Sequence, residues 1–88
     1  MKIKQQATKE MRCHERLTKV FREVFDNPSL QIKDEYNASN IDGWDSLAHI
    51  NLIVEIEGEF EITFSTAEIA GFTCIGDVKK IILQRSKL

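Results

Sequence analysis

The sequence predicts an all-α fold with three principal helices and a short fourth. Three observations carry this. Apolar residues recur at three- and four-residue steps along the segments around 17–25, 50–60 and 78–82. Proline occurs once and glycine four times in 88 residues, so long stretches are free to be helical. Capping patterns also stand where later helices would begin. The one stretch that reads as extended is 62–64.

The first helix is drawn by Leu17, Val20, Phe21, Val24 and Phe25, which form one stripe, with Ala7, Met11 and His14 extending it backward. "DNPSL" ends it, because the residue before Pro28 is pushed out of helical geometry and Asp and Asn favour turns. A long connection follows over about 27–45. Leu30, Ile32, Tyr36, Ile41 and Trp44 punctuate it and are expected to pin it to the core, and loops of this length tend to be functional. The second helix starts at Asp45 or Ser46 and runs to about Phe60. A wheel of about 100° per residue assigns Ile50, Ile53, Ile56 and Phe60 to the core. It leaves Leu47 and Val54 on a separate stripe, facing the loop or another molecule, and brings His49 and Glu57 to the rim. In "FSTAEIAGF", Ser65 and Glu68 make a capping box and Gly71 closes a short helix. Thr73 is then expected to cap a last helix through Val78, Ile81 and Ile82.

A chain of this length builds one core and has little room to enclose a deep catalytic pocket as well. It reads as a single domain over 1–88, with flexibility allowed at about 1–8. Hydrophobic residues at 42% and charged residues at 30% suit a folded soluble domain rather than a disordered one. No apolar run approaches the ~20 residues of a membrane span, and the basic opening has no apolar block of a secretory signal. Cys13 and Cys74 lack metal-ligand or redox spacing, so the reading is two partly buried thiols in a cytoplasmic setting.

The net charge of −2 is unevenly spread. Residues 1–22 hold seven Lys or Arg against two Glu, whereas residues 23–68 hold eleven acidic residues against Lys33 alone. A negative centre repels nucleic acid and attracts basic protein surfaces, although a solvated acidic face would look the same.

The segment "GWDSL" at 43–47 holds the residues with most chemistry. Ser46 and His49, three apart on a helix, could be neighbours, but a hydrolase also needs an orienting third group and an oxyanion site. Asp45 would point elsewhere, and no Gly-rich turn offers a nest of donors. His49 reads instead as a rim residue bonded to a loop. "DEYNASNIDGWD" is rich in oxygen ligands yet fails the calcium-loop spacing, so it reads as turns and caps, with no metal held by this chain alone. Ser46 can also be an attachment point. A helix start presents unpaired N–H groups and partial positive charge that suit a phosphate ester. Asp45 can cap the helix there, and plain capping accounts for the same residues.

The surrounding residues favour attachment. "GWDSLAHINLIVEIEGEFEITF" followed by "TCIGDVKKII" resembles the acyl carrier protein family over about 41–82, through the "DSL" triplet, the "LIVEIEGEFEI" stretch and the T-x-x-G-D entry to the last helix. The resemblance implies a small four-helix bundle that carries cargo and catalyses nothing. It implies 4′-phosphopantetheine on Ser46, installed from coenzyme A by a phosphopantetheinyl transferase with Mg²⁺. The arm's thiol, rather than Cys13 or Cys74, would hold an acyl group as a thioester. The second helix would be the transient docking surface, with apolar contacts at Leu47 and Val54 and acidic ones at Asp45 and Glu57. Cargo would insert between the second and third helices beside Ile53, Phe60, Ile69 and Phe72, with Phe64 and Phe72 shortening that space. A monomeric cytoplasmic carrier serving lipid, polyketide or other secondary biosynthesis follows, with acyl or aminoacyl ligases, acyltransferases and synthase enzymes as partners.

This chain departs from fatty-acid synthesis members at Ala48, Asn51 and Gly58, where acidic residues are usual, and at Trp44 and His49. Its acidic charge sits further on, at Glu55, Glu57, Glu59 and Glu61. The departures suggest a specialised carrier with a dedicated ligase or acyltransferase. A carrier of aminoacyl, peptidyl or D-alanyl groups, and an unmodified helical adaptor binding through Leu47 and Val54, stay open.

Overall fold

The computed structural model describes residues 2–88, with side chains from Thr8 onward. Four α-helices make up the fold: α1 (Lys2–Val24), α2 (Ser46–Phe60), α3 (Thr66–Gly71) and α4 (Ile75–Arg85). The stretch at 62–64 is irregular connection, not strand. The flexibility allowed at about 1–8 and the core role given to Ala7 fall outside the described side chains.

α1 packs against both α2 and α4. The core gathers Cys13, Leu17, Val20 and Phe21 from α1; Leu52, Ile53, Ile56 and Phe60 from α2; and Ile75, Val78 and Ile82 from α4. Fully burying one such side chain contributes about 1.5–3 kcal/mol. Two placements differ from the wheel. Met11 is exposed, and the α1 stripe continues backward through Cys13, one turn before Leu17. On α2, Ile50 is 60% exposed and Leu52 is buried. The core sector is centred near Ile56, and Ile50 lies about 60° beyond Ile53 on a 100° wheel, past the edge of what α1 covers.

The connection between α1 and α2 is held down as its apolar residues predict. Ile32 and Ile41 are buried, with Leu30, Tyr36 and Trp44 packed against the core. Polar bonds fix its turns. Arg22 Nε donates to the Leu30 carbonyl at 2.7 Å, and Asn37 Oδ1 accepts from the Ser39 amide at 2.9 Å.

The short α3 has both halves of the capping box: Ser65 Oγ accepts from the Glu68 amide, and Glu68 accepts from the Ser65 amide. None of its residues is buried. It is tied down from outside, because the Arg85 guanidinium grips both Glu68 carboxylate oxygens and the Thr63 carbonyl. Phe64 and Phe72 meet edge-on at 5.2 Å on either side of it. The cap of α4 corrects the sequence reading. Its N-cap is Cys74, without a side-chain cap bond, and Thr73 lies one residue earlier. Asp77 reaches back instead, accepting from the Thr73 amide and hydroxyl at 2.9 and 2.7 Å.

Candidate functional site

Ser46 is the first helical residue of α2, and its side chain is exposed. The chain reaches it through Gly43, whose φ of 86° is a left-handed conformation that suits glycine. Asp45 is the N-cap: its Oδ1 accepts from the Ala48 amide at 2.8 Å and its carbonyl accepts from the His49 amide at 2.9 Å. The Ser46 hydroxyl and the Ser46 and Leu47 amides have no hydrogen-bond partner among the described residues. This end of the helix therefore offers a free nucleophilic oxygen beside open N–H groups and the positive end of the helix dipole.

His49 falls in the core sector of the wheel, but only one turn in, where it meets the loop. Trp44 Nε1 donates to His49 Nδ1 at 3.1 Å, and the two rings lie side by side, 20° from parallel with centroids 6.0 Å apart. An indole N–H can only donate, so Nδ1 is the acceptor and the proton of the neutral ring is on Nε2. Trp44 in turn lies on α1, edge-on to Phe21 at 5.5 Å and beside Phe25 at 5.9 Å. His49 is thus bonded to the loop, as a rim residue should be, and the nitrogen bonded to Trp44 is not paired with Ser46.

Leu47, Ile50 and Val54 are 68%, 60% and 58% exposed. At steps of three and four they make one apolar stripe running away from Ser46. Sequence reasoning placed two of these residues on the stripe and missed Ile50; its wheel angle, intermediate between the stripe and the core, was the available signal. Of the acidic residues, Asp45 is exposed at the start of the stripe. Glu57 is half-buried, and its Oε2 accepts from the Phe64 amide at 2.8 Å, closing the turn between α2 and α3. Glu59 pairs with Arg16 at 2.8 Å, and Arg16 also bonds the Glu59 carbonyl and lies 4.7 Å over the Phe60 ring. Glu55 and Glu61 are exposed.

The two native thiols sit elsewhere. Cys13 is buried, and that burial pushes its thiol pKa up, against the smaller opposing pull of Lys79. Cys74 is partly buried at the start of α4. Nearby, Lys79 Nζ donates to Asp34 Oδ1 at 2.7 Å and to His14 Nδ1 at 3.1 Å, tying α4 to the loop and to α1. Burial, reinforced by the Lys79 charge, lowers the His14 pKa. Among the described residues no group of His, Cys, Asp and Glu is arranged to hold a metal ion, and no helix is long and apolar enough to cross a membrane.

The result is a small helical body that displays one hydroxyl at an open helix end, beside an apolar stripe. No family model matches the chain, and no curated protein matches it. Among solved structures it is similar to the holo acyl carrier protein of Geobacter metallireducens, determined by solution NMR. The two are 38% identical over 82% of this chain and 83% of that one, with a TM-score of 0.76. The chain belongs to the acyl carrier protein family.

Proposed function

We propose that this protein carries acyl groups as thioesters on a 4′-phosphopantetheine arm attached to Ser46 and moves them between partner enzymes. The observation that carries the reading is the exposed, unpartnered Ser46 hydroxyl beside the open amides of Ser46 and Leu47. Those groups fit a phosphodiester, since the helix end offers N–H donors and favourable charge, and the Asp45 cap takes the Ala48 amide rather than those of Ser46 and Leu47. In the attachment reaction, the Ser46 oxygen attacks the phosphorus that bears pantetheine in coenzyme A. The anhydride bond breaks, the adenosine 3′,5′-bisphosphate leaves, and the hydroxyl proton passes to a base of the transferase, which supplies Mg²⁺. The arm contributes the thiol that holds cargo. Cys13 is too buried for that task.

Docking would use the stripe of Leu47, Ile50 and Val54, with Asp45 at its start and the second carboxylate oxygen of Glu57 toward its far end. The front half of this helix carries little free acidic charge, and the exposed Glu55 and Glu61 lie further on. Ala48 and Asn51 are neutral, Glu59 is paired with Arg16, and Glu57 has one oxygen committed to Phe64. This supports a dedicated ligase or acyltransferase over a partner that reads a ladder of acidic residues. Slower malonylation by a general fatty-acid malonyl transferase than that of a housekeeping carrier is expected, and equal rates would contradict the specialised assignment.

The attachment itself is tested by intact mass after incubation with coenzyme A and a broad-range phosphopantetheinyl transferase. Wild type gains the arm and Ser46→Ala does not. An unmodified adaptor would stay unchanged in both. An acyl carrier and an aminoacyl or D-alanyl carrier then separate by which ligase loads the holo protein.

A further inference from the structure

We propose that Trp44 and His49 form a clasp that positions the attachment serine, holding the first turn of α2 in one presentation against α1. The proposal rests on the reading of Ser46 as the attachment point. The two residues bracket it, two positions before and three after, and are joined by the 3.1 Å bond from Trp44 Nε1 to His49 Nδ1. The Asp45 cap closes the helix end from within, on the Ala48 amide. It does nothing to tie that end to the rest of the molecule. Trp44 does, through its contacts with Phe21 of α1 and with Phe25 just past its end, and the His49 ring lies beside Trp44 at the outer edge of the same aromatic group.

The need for such a tie follows from the surroundings. Leu47 and Ile50 are exposed, and no described residue partners the Ser46 side chain. The first turn of a helix frays readily when its apolar face is not packed. Of residues 46–50 only Ala48 and His49 are partly buried, and the His49 ring would leave an unpartnered nitrogen without the indole donor. Trp44 and His49 are positioning residues here: they act on the orientation of the Ser46 hydroxyl and touch neither coenzyme A nor the phosphorus.

Three variants separate the hydrogen bond from ring packing. Trp44→Phe keeps an aromatic ring on α1 and removes the donor. His49→Phe keeps a ring beside the indole and removes the acceptor. His49→Asn restores an acceptor, because its Oδ1 lies the same number of bonds from Cα as Nδ1. Initial rates of arm attachment with coenzyme A and a phosphopantetheinyl transferase, resolved into kcat and KM, are read beside ¹H–¹⁵N spectra of each apo protein. The loss of one hydrogen bond of ordinary strength predicts a fall in kcat/KM of about three- to tenfold in Trp44→Phe and His49→Phe, with recovery in His49→Asn. The fall is expected in kcat. In wild type and His49→Asn the indole N–H should exchange slowly with water, and in His49→Phe quickly. Wild-type kinetics in both Phe variants, with the fold intact by amide dispersion, would overturn the clasp alone. A loss in His49→Phe that Asn does not restore would assign the effect to packing and overturn the hydrogen bond's role. A wild-type protein that gains no mass would overturn the Ser46 reading, and the clasp with it.

Discussion

The N-termini of α2 and α4 are chemically alike and treated in opposite ways. Each has unpaired first-turn amides and the positive end of a helix dipole. At α4 the long connection fills them. Tyr36 and Asp34 carbonyls accept from the Ile75 and Gly76 amides at 2.9 and 2.8 Å, and the Cys74 carbonyl takes the Asp77 amide at 3.2 Å. At α2 the Asp45 side chain takes the Ala48 amide alone, so those of Ser46 and Leu47 stay open beside an exposed hydroxyl. The closed end is a joint of the fold, and the open one leaves room for the proposed phosphodiester. Helix geometry alone therefore does not decide which end is available. What the preceding chain leaves uncovered does.

The strongest way to break the comparison is to free the loop that closes α4. Ile32 is 4% exposed and anchors that loop two residues before Asp34. Ile32→Ala should cost about 2–4 kcal/mol by the usual range for large-to-small core changes, measured by urea denaturation, and should speed exchange of the Ile75 and Gly76 amides. Gly76→Ala attacks the same joint more gently. A Cβ there would lie 3.3 Å from the Asp34 carbonyl oxygen and 3.4 Å from Asp34 Cβ. That oxygen is bonded to the Gly76 amide and cannot retreat without weakening the bond. A loss of about 1–2 kcal/mol is expected from the overpacking, and a thermal midpoint at or above wild type would show that the loop gives way freely.

At the open end, Asp45→Ala removes the only side-chain cap of α2. About 1 kcal/mol should be lost, while Asp45→Asn, which keeps an acceptor, should lose a few tenths. Equal losses would show that the carboxylate charge, not the cap bond, matters there.

The smallest effect concerns pH at the joint. His14 is held below its ordinary pKa by burial and by Lys79, with Asp34 and Glu15 opposing. Once the pH drops below about 6.5, the unfolded chain takes up a proton that the folded chain resists. Stability is therefore complete above that pH and declines as pH falls toward the lowered folded value. His14→Gln should flatten this slope, as read from denaturation midpoints between pH 7.5 and 5. Glu68 and Asp77 act further down. Arg85 lowers the Glu68 pKa and Thr73 that of Asp77, so both contributions are present above the usual carboxylate range and lost in acid.

Helices α1 to α4, the capping box of α3 and the pinned loop were legible because each depends on local spacing or on a single well-understood residue pattern. Ile50 and Met11 were misplaced for one reason: a wheel gives angles but not how wide a face the neighbouring helix covers. The cap of α4 was misread because Thr73 is the better capping residue by type, whereas distant carbonyls of Asp34 and Tyr36 fill the position. That closure is tertiary and leaves no local mark except Gly76. Ser46, Leu47 and Val54 stood out from their motif and angles. The pairing of Trp44 with His49 was hidden because it depends on where α1 places Phe21 and Phe25.

The most direct measurement is fragment mass analysis of the protein after reaction with coenzyme A and a phosphopantetheinyl transferase. The account predicts one added pantetheine phosphate, borne by the peptide containing Ser46. Unmodified protein under conditions that convert a control carrier, or the group found on another residue, would contradict it.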